Sequence, residues 1–178
     1  MLTPGHIATS YLIVEGARNI GVNLNNEQIL LIILSRNVLD VDFLVGLFNG
    51  KKGELHHQNI THTPVGALIV GLLLVFIFQI NVILAALIFL SLFIHLFLDD
   101  LSHILSVLKI YKKNGETQIN WFWPITKYPD RKVMTSNKEI LKYYLTKAWL
   151  IASLEIICIA IALFYFYYEY SDFFWQEV

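Results

Sequence analysis

The chain has 178 residues, 56% of them hydrophobic and only 15% charged, with a formal net charge of −1. The charged share falls well short of the roughly 25% usual for a soluble domain, and the near-neutral balance offers no electrostatic footing for nucleic acid. A single cysteine, Cys158, lies in an apolar segment and excludes an internal disulfide.

Thr3-Pro4 reads as a helix start, with Thr as the cap and Pro in the first helical position. A helix from Pro4 to about Arg18 carries His6 in its first turn. Residues 19–26, rich in Asn and Gly, read as a turn. The segment EQILLIILSRN, Glu27–Asn37, is apolar and suited to a helix, and LDVDFLVGLFNGKKG with Asp40 and Asp42 follows it. At a rise of 1.5 Å per residue each of these two helices is about 20 Å long, short for a full crossing.

Thr63-Pro64 repeats the start signal, and a helix is expected from Pro64 to about Phe78. Gln79 and Asn81 mark a tight reversal, after which a helix from Val82 through Leu98 is expected to continue to Leu108. Val65 to Leu98 contains no Asp, Glu, Lys or Arg. A crossing helix needs about 20 apolar residues, so this run serves two passes. Residues 109–147 form a polar connection holding nine of the thirteen Lys and Arg. A third span is expected over Ala148–Tyr168, running into the aromatic belt FYFYYEYSDFFW. The N-terminus does not read as a cleaved signal, since Glu15 and Arg18 soon interrupt its apolar stretch. The expected fold is all-α: one membrane-embedded domain over 1–178, a polytopic bundle of about five helices with three spans.

Charge sets the expected orientation. Lys51 and Lys52 precede the apolar hairpin and nine basic residues follow it, whereas no Lys or Arg occurs after Lys147. The positive-inside rule then places 43–62 and 99–147 in the cytoplasm and the C-terminus outside. Trp121, Phe122 and Trp123 suit the cytoplasmic interface.

The six histidines are His6, His56, His57, His62, His95 and His103. Each helical hairpin returns its far end to the level of its start. His6 opens the first hairpin and Asp40 and Asp42 close it; His62 opens the second, and His95, Asp99 and His103 close it. Histidine and aspartate from two hairpins are thereby delivered to one membrane face. His95, Asp99 and His103 stand at i, i+4 and i+8, one face of a continuous helix. Imidazole with carboxylate suits zinc, or manganese or iron where oxygen ligands dominate. Several such groups together favour more than one divalent ion, and a metal pair about 3.5–4 Å apart suits phosphate-ester hydrolysis.

The plainer readings weigh differently at each residue. His56 and His103 alone read as amphipathic helix-end residues. Glu155 reads first as an interfacial or ion-paired structural group, with support of the site as the sharper alternative. His95, inside the apolar run, is harder to explain as solvation, because ionisable groups within a span are functional by default. The basic residues of 109–147 read chiefly as topology signals, with attraction to anionic headgroups in addition.

These residues resemble the YdjM-type family of bacterial inner-membrane metal-dependent hydrolases. The family's T-x-x-H, D-x-D, H-R-G-x-T-H-S, H-x-x-x-D and W-P read here as TPGH (Thr3–His6), DVD (Asp40–Asp42), HQNITHT (His57–Thr63), HLFLD (His95–Asp99) and WP (Trp123-Pro124). The motifs keep their order over residues 3–124. Two departures stand out: Gln58-Asn59 replaces the Arg-Gly, and KIYKKNGETQ at 109–118 lengthens the gap before Trp123. The resemblance implies a metal-dependent hydrolase. Taken with the residues themselves, the expected ligands are His6, Asp40, Asp42, His57, His62, His95 and Asp99, the donor set favours zinc, and Asp42 or Asp100 is the expected general base. A weaker likeness to zinc-dependent phospholipase C, with its own H-x-x-x-D, points to a phosphoester on a membrane lipid or other amphiphile, cleaved by metal-activated water. The expected location is the bacterial inner membrane with the site facing the cytoplasm. A non-catalytic metal-binding, transport or interaction protein is the competing reading, separated by metal content. No HExxH, Walker loop or dinucleotide fingerprint supports another enzyme class.

Overall fold

The computed structural model describes residues 3–40, 60–110, 117, 119–126 and 148–175. Six α-helices form among them: α1 (Thr3–Asn19), α2 (Asn26–Asn37), α3 (Pro64–Phe78), α4 (Val82–Asp99), α5 (Leu101–Val107) and α6 (Trp149–Trp175). No strand occurs among the described residues, as expected of an all-α chain. Asp42, His56, His57 and most of 109–147 lie outside them.

Local chemistry explains the helix ends. At the end of α1, Gly21 takes φ +90°, and its N–H bonds Arg18 O at 2.9 Å while that of Val22 bonds Ala17 O at 3.0 Å. That paired pattern needs a left-handed residue, which glycine adopts without a Cβ penalty. The next helix opens on a reciprocal cap: the Gln28 N–H donates to Asn25 Oδ1, and the Asn25 N–H donates to Gln28 Oε1. A 3-10 turn, Val38–Asp40, follows α2 and carries Asp40.

A second 3-10 turn, Ile60–His62, leads into α3. The Thr63 hydroxyl donates to Ile60 O at 2.7 Å and accepts from the Gly66 N–H at 2.9 Å, so one side chain ties the turn to the helix. A Cβ at Gly66 would stand 1.9 Å from Ile60 O, leaving no room for any other residue. At the far end Gln79 is left-handed and Asn81 caps α4 by accepting from Leu84 N–H, which makes the reversal the sequence predicts.

The expected continuation of α4 to Leu108 is corrected. The helix stops at Asp99, Asp100 leaves helical geometry at φ −93°, ψ 4°, and α5 restarts at Leu101. Asp100 is fully buried, and its Oδ2 accepts from Trp121 Nε1 at 2.7 Å and Thr117 Oγ1 at 2.9 Å. The break coincides with this attachment of the 119–126 loop.

Helix α1 packs on α2, α4 and α6; α2 packs on α4, and α3 on α4. Val14, Ile32, Leu39, Leu92 and Leu96 belong to the shared core. The outward faces are also apolar: Leu72, Leu73 and Phe76 of α3, Phe97 of α4, and Ile156 and Phe164 of α6 are exposed. Among the described residues two helices are long and apolar enough to cross a membrane, over Val82–Asp99 and Trp149–Ser171. Only 22% of the α6 stretch is buried, unlike the core helix of a soluble protein. Of the three expected spans, that over Pro64–Phe78 is shorter: 15 residues cover about 22 Å against a hydrocarbon layer of about 30 Å.

Candidate metal centre

Four segments bring the polar side chains together. His6 stands in the first turn of α1, Asp40 in the 3-10 turn after α2, His62 in the 3-10 turn before α3, and His95 and Asp99 in the last turns of α4. Their ligand atoms form two overlapping groups, His6–Asp40–His95 and His62–His95–Asp99, each with its atoms within 4.8 Å of one another. Five of the seven expected ligands are thus gathered in one place; Asp42 and His57 lie outside the described residues. His103 falls beyond the break at Asp100, on α5, and belongs to neither group, as does Asp100 itself.

The distances are those of a coordination shell. His62 Nε2 lies 3.3 Å from Asp40 Oδ1, and His95 Nε2 lies 3.5 Å from that same oxygen and 3.1 Å from Asp99 Oδ2. Ligands held about 2.0–2.2 Å from a tetrahedral ion sit about 3.3–3.5 Å apart. His6, His62, His95 and Asp99 are buried, whereas the Asp40 side chain is 25% exposed and forms the open edge. Both ring nitrogens of His95 are buried without a hydrogen bond among the described residues. Buried polar atoms are rarely left so, and the His95 Nε2 stands between two carboxylates. The residues therefore fit a divalent ion.

A residue not singled out from the sequence completes the cluster. Arg36, in the last turn of α2, is fully buried. Its guanidinium donates to His6 Nδ1 at 3.0 Å and to Thr9 Oγ1. Burial pulls its pKa down to about 10 against the opposing charges of Asp99 and Asp40, so it is cationic at neutral pH. The available signal was its register: Arg36 is one turn beyond Ile32, on the buried stripe of α2. Burial also raises the Asp40 carboxyl, but the hydrogen bond with His62 and the nearness of the His95 imidazole outweigh it and hold Asp40 well below the usual range. For His6, burial outweighs the pull of Asp99 and lowers the imidazole to about 4, leaving it neutral at pH 7.

Glu155 is buried within α6, and its Oε1 accepts the Gly5 N–H of α1 at 3.2 Å. An anionic acceptor at a helix N-terminus satisfies an otherwise orphaned donor and complements the helix dipole. The contact fastens the turn that carries His6, so Glu155 acts by placing a neighbour of the centre.

A family model described as YdjM inner membrane protein matches residues 1–175. No curated protein and no solved structure matches the chain. The match runs through every segment that builds the metal centre and through both apolar helices long enough to cross a membrane. The chain belongs to the YdjM family of inner membrane proteins.

Proposed function

We propose that this protein is a membrane-bound metal-dependent hydrolase that cleaves a phosphoester carried by a lipid or another amphiphile. The observation that carries this reading is the spacing of 3.0–3.5 Å among three imidazoles and two carboxylates, joined to His95 nitrogens that have no hydrogen bond among the described residues. Asp40, His62, His95 and Asp99, with His6 beside them, would hold the ion, zinc being favoured by the donor set. A divalent ion there supplies Lewis-acid polarisation of a phosphoryl oxygen and acidifies water.

The chain's own residues do the rest. Asp40 and Asp99 provide the negative charge that retains a cation, and the buried imidazoles place it without adding charge. The partly exposed edge at Asp40 is the approach for a substrate headgroup. Of the two aspartates offered as general base, Asp100 fastens the 119–126 loop through Oδ2, which favours Asp42. The exposed apolar faces of α3, α4 and α6 favour an amphiphile already in the membrane over a soluble ester.

The reading includes three crossings, with the short α3 inserted by local thinning, and the centre on the cytoplasmic side. A reporter after Val178 should then lie outside and one near Asn114 inside; both on one side would break the orientation. The central test is elemental analysis of detergent-purified protein beside a phosphoester panel. Stoichiometric zinc, manganese or iron with hydrolysis of a lipid-like phosphoester supports the reading. Bound metal without hydrolysis would favour a metal-binding or transport role, and no metal would favour an interaction protein.

A further inference from the structure

We infer that His6 is a positioning residue and not a metal ligand: Arg36 fixes its ring so that the Nε2–H donates to Asp99, which presents its other oxygen to the ion. The inference rests on the metal reading above and refines it.

The first step is chemical. A guanidinium carries five N–H donors and no acceptor. Arg36 approaches His6 Nδ1 at 3.0 Å, so that nitrogen must be the bare one. The proton of a neutral imidazole then sits on Nε2. A nitrogen bearing a proton has no lone pair for a metal, and here it points at a carboxylate, 3.0 Å from Asp99 Oδ1. The chain of donors runs from Arg36 through His6 to Asp99, and it leaves His6 no lone pair with which to bind a cation.

The second step is geometric. The two oxygens of Asp99 face different imidazoles: Oδ1 faces His6, and Oδ2 lies 3.1 Å from His95 Nε2. His95 belongs to both candidate ligand groups, and its Nε2 has one lone pair, so the two groups describe alternatives around one His95-held ion. The group containing Asp99, His62 and His95 uses the Asp99 oxygen that faces His95, not the one that faces His6. The His6 and His95 rings stack, with centroids 4.2 Å apart and planes at 21°, which holds His6 alongside the ligand ring. Thr9 gives Arg36 a second fixed partner, on the same helix as His6. Supporting partners of this kind orient a ligating carboxylate, and their loss typically weakens metal binding 10–100-fold without removing a ligand.

The test follows the imidazole protons and the ion separately. Wild-type protein and His6→Gln are labelled with 15N-histidine and purified in detergent. Their spectra are compared after chelation and after loading with zinc, and the resonance missing from the variant identifies His6. The expected result is an Nε2–H tautomer for His6 in both states of the wild type, while His95 acquires the shifts of a zinc-bound nitrogen. His6→Gln keeps an amide donor for Asp99; it should retain wild-type zinc stoichiometry and the same number of imidazole ligands by X-ray absorption. A His6→Leu protein should bind zinc 10–100-fold more weakly, and His95→Gln should lose the ion. A zinc-bound shift at His6, or one fewer imidazole in His6→Gln, would overturn the inference while leaving the metal centre intact. Failure of the wild type to bind zinc at all would overturn the metal reading, and this inference with it.

Discussion

Helix α1 carries a polar cluster at each end, and the two obey different electrostatics. At its start, His6 and Thr9 meet Arg36 and Asp99 in a setting where His6, Arg36 and Asp99 are all buried. Toward its end, Tyr11 and Arg18 meet Glu169 of α6, and Arg18 also pairs with Glu15 at 3.1 Å; the Arg18 and Glu169 side chains are 25% and 33% exposed. Solvent-exposed pairs contribute about 0.2–1 kcal/mol, because water and salt screen them and ordering long side chains costs entropy. Removing one partner of a buried pair costs about 3–5 kcal/mol, since the remaining charge has neither water nor counter-ion. The same helix thus holds one cluster that fastens α1 to α6 and another that gathers imidazole, guanidinium and carboxylate in a buried site. A difference in burial separates the two.

The largest effect should come from neutralising the buried end. Asp99→Asn removes a charge from the centre but leaves the apolar helices to satisfy their own backbones, so insertion should persist while bound metal and hydrolysis are lost. Glu169→Gln should change neither, and His103→Ala, beyond the break, should do much less than Asp99→Asn. Metal content and phosphoesterase rate in detergent measure all three; an Asp99→Asn protein with unchanged metal and rate would sink the catalytic reading.

Next comes Arg36. Replacing it by Met leaves His6 Nδ1 and Thr9 without their buried donor, and thermal unfolding of the metal-free protein in detergent should show a loss of about 1.5–3 kcal/mol. Added zinc should restore part of that loss, because an ion bound only by the folded state stabilises it. A metal-free Arg36→Met protein as stable as wild type would erase the contrast between the two ends.

A smaller effect is expected where α1 meets α6 beside the centre. A Cβ at Gly5 would stand 2.6 Å from Glu155 Cγ and Oε1. Gly5→Ala should therefore destabilise by about 1–3 kcal/mol through overpacking and lower zinc affinity by shifting the turn that holds His6. Glu155→Ala in the same chain clears that space, so the two substitutions should cost less together than their separate effects added. Strict additivity in a thermal-shift cycle would show that the contact does not govern the turn.

The smallest effect belongs to the exposed end. Arg18→Ala should cost less than about 1 kcal/mol and shrink as salt is raised. A loss of several kcal/mol, insensitive to salt, would place this cluster in the same class as the buried one.

The sequence by itself determined the all-α class, the apolar hairpin with its reversal at Gln79 and Asn81, and the Thr63-Pro64 start of α3. These rest on local matters: caps, turn residues and continuous hydropathy act within a few residues of their cause. Hairpin logic also brought His6, Asp40, His62, His95 and Asp99 to one end, because antiparallel helices of similar length return the chain to its starting level. Tertiary structure decided what no local rule reaches. It set His103 on a separate helix beyond Asp100, whose carboxylate accepts from Trp121, 21 residues away. It buried Arg36 against His6 and set Glu155 under Gly5, contacts spanning 30 and 150 residues. An arginine near the end of an apolar helix reads identically whether it meets water or a carboxylate. Only the packing of α1, α2 and α4 removes the water, and with it the screening that would have left these charges independent of one another.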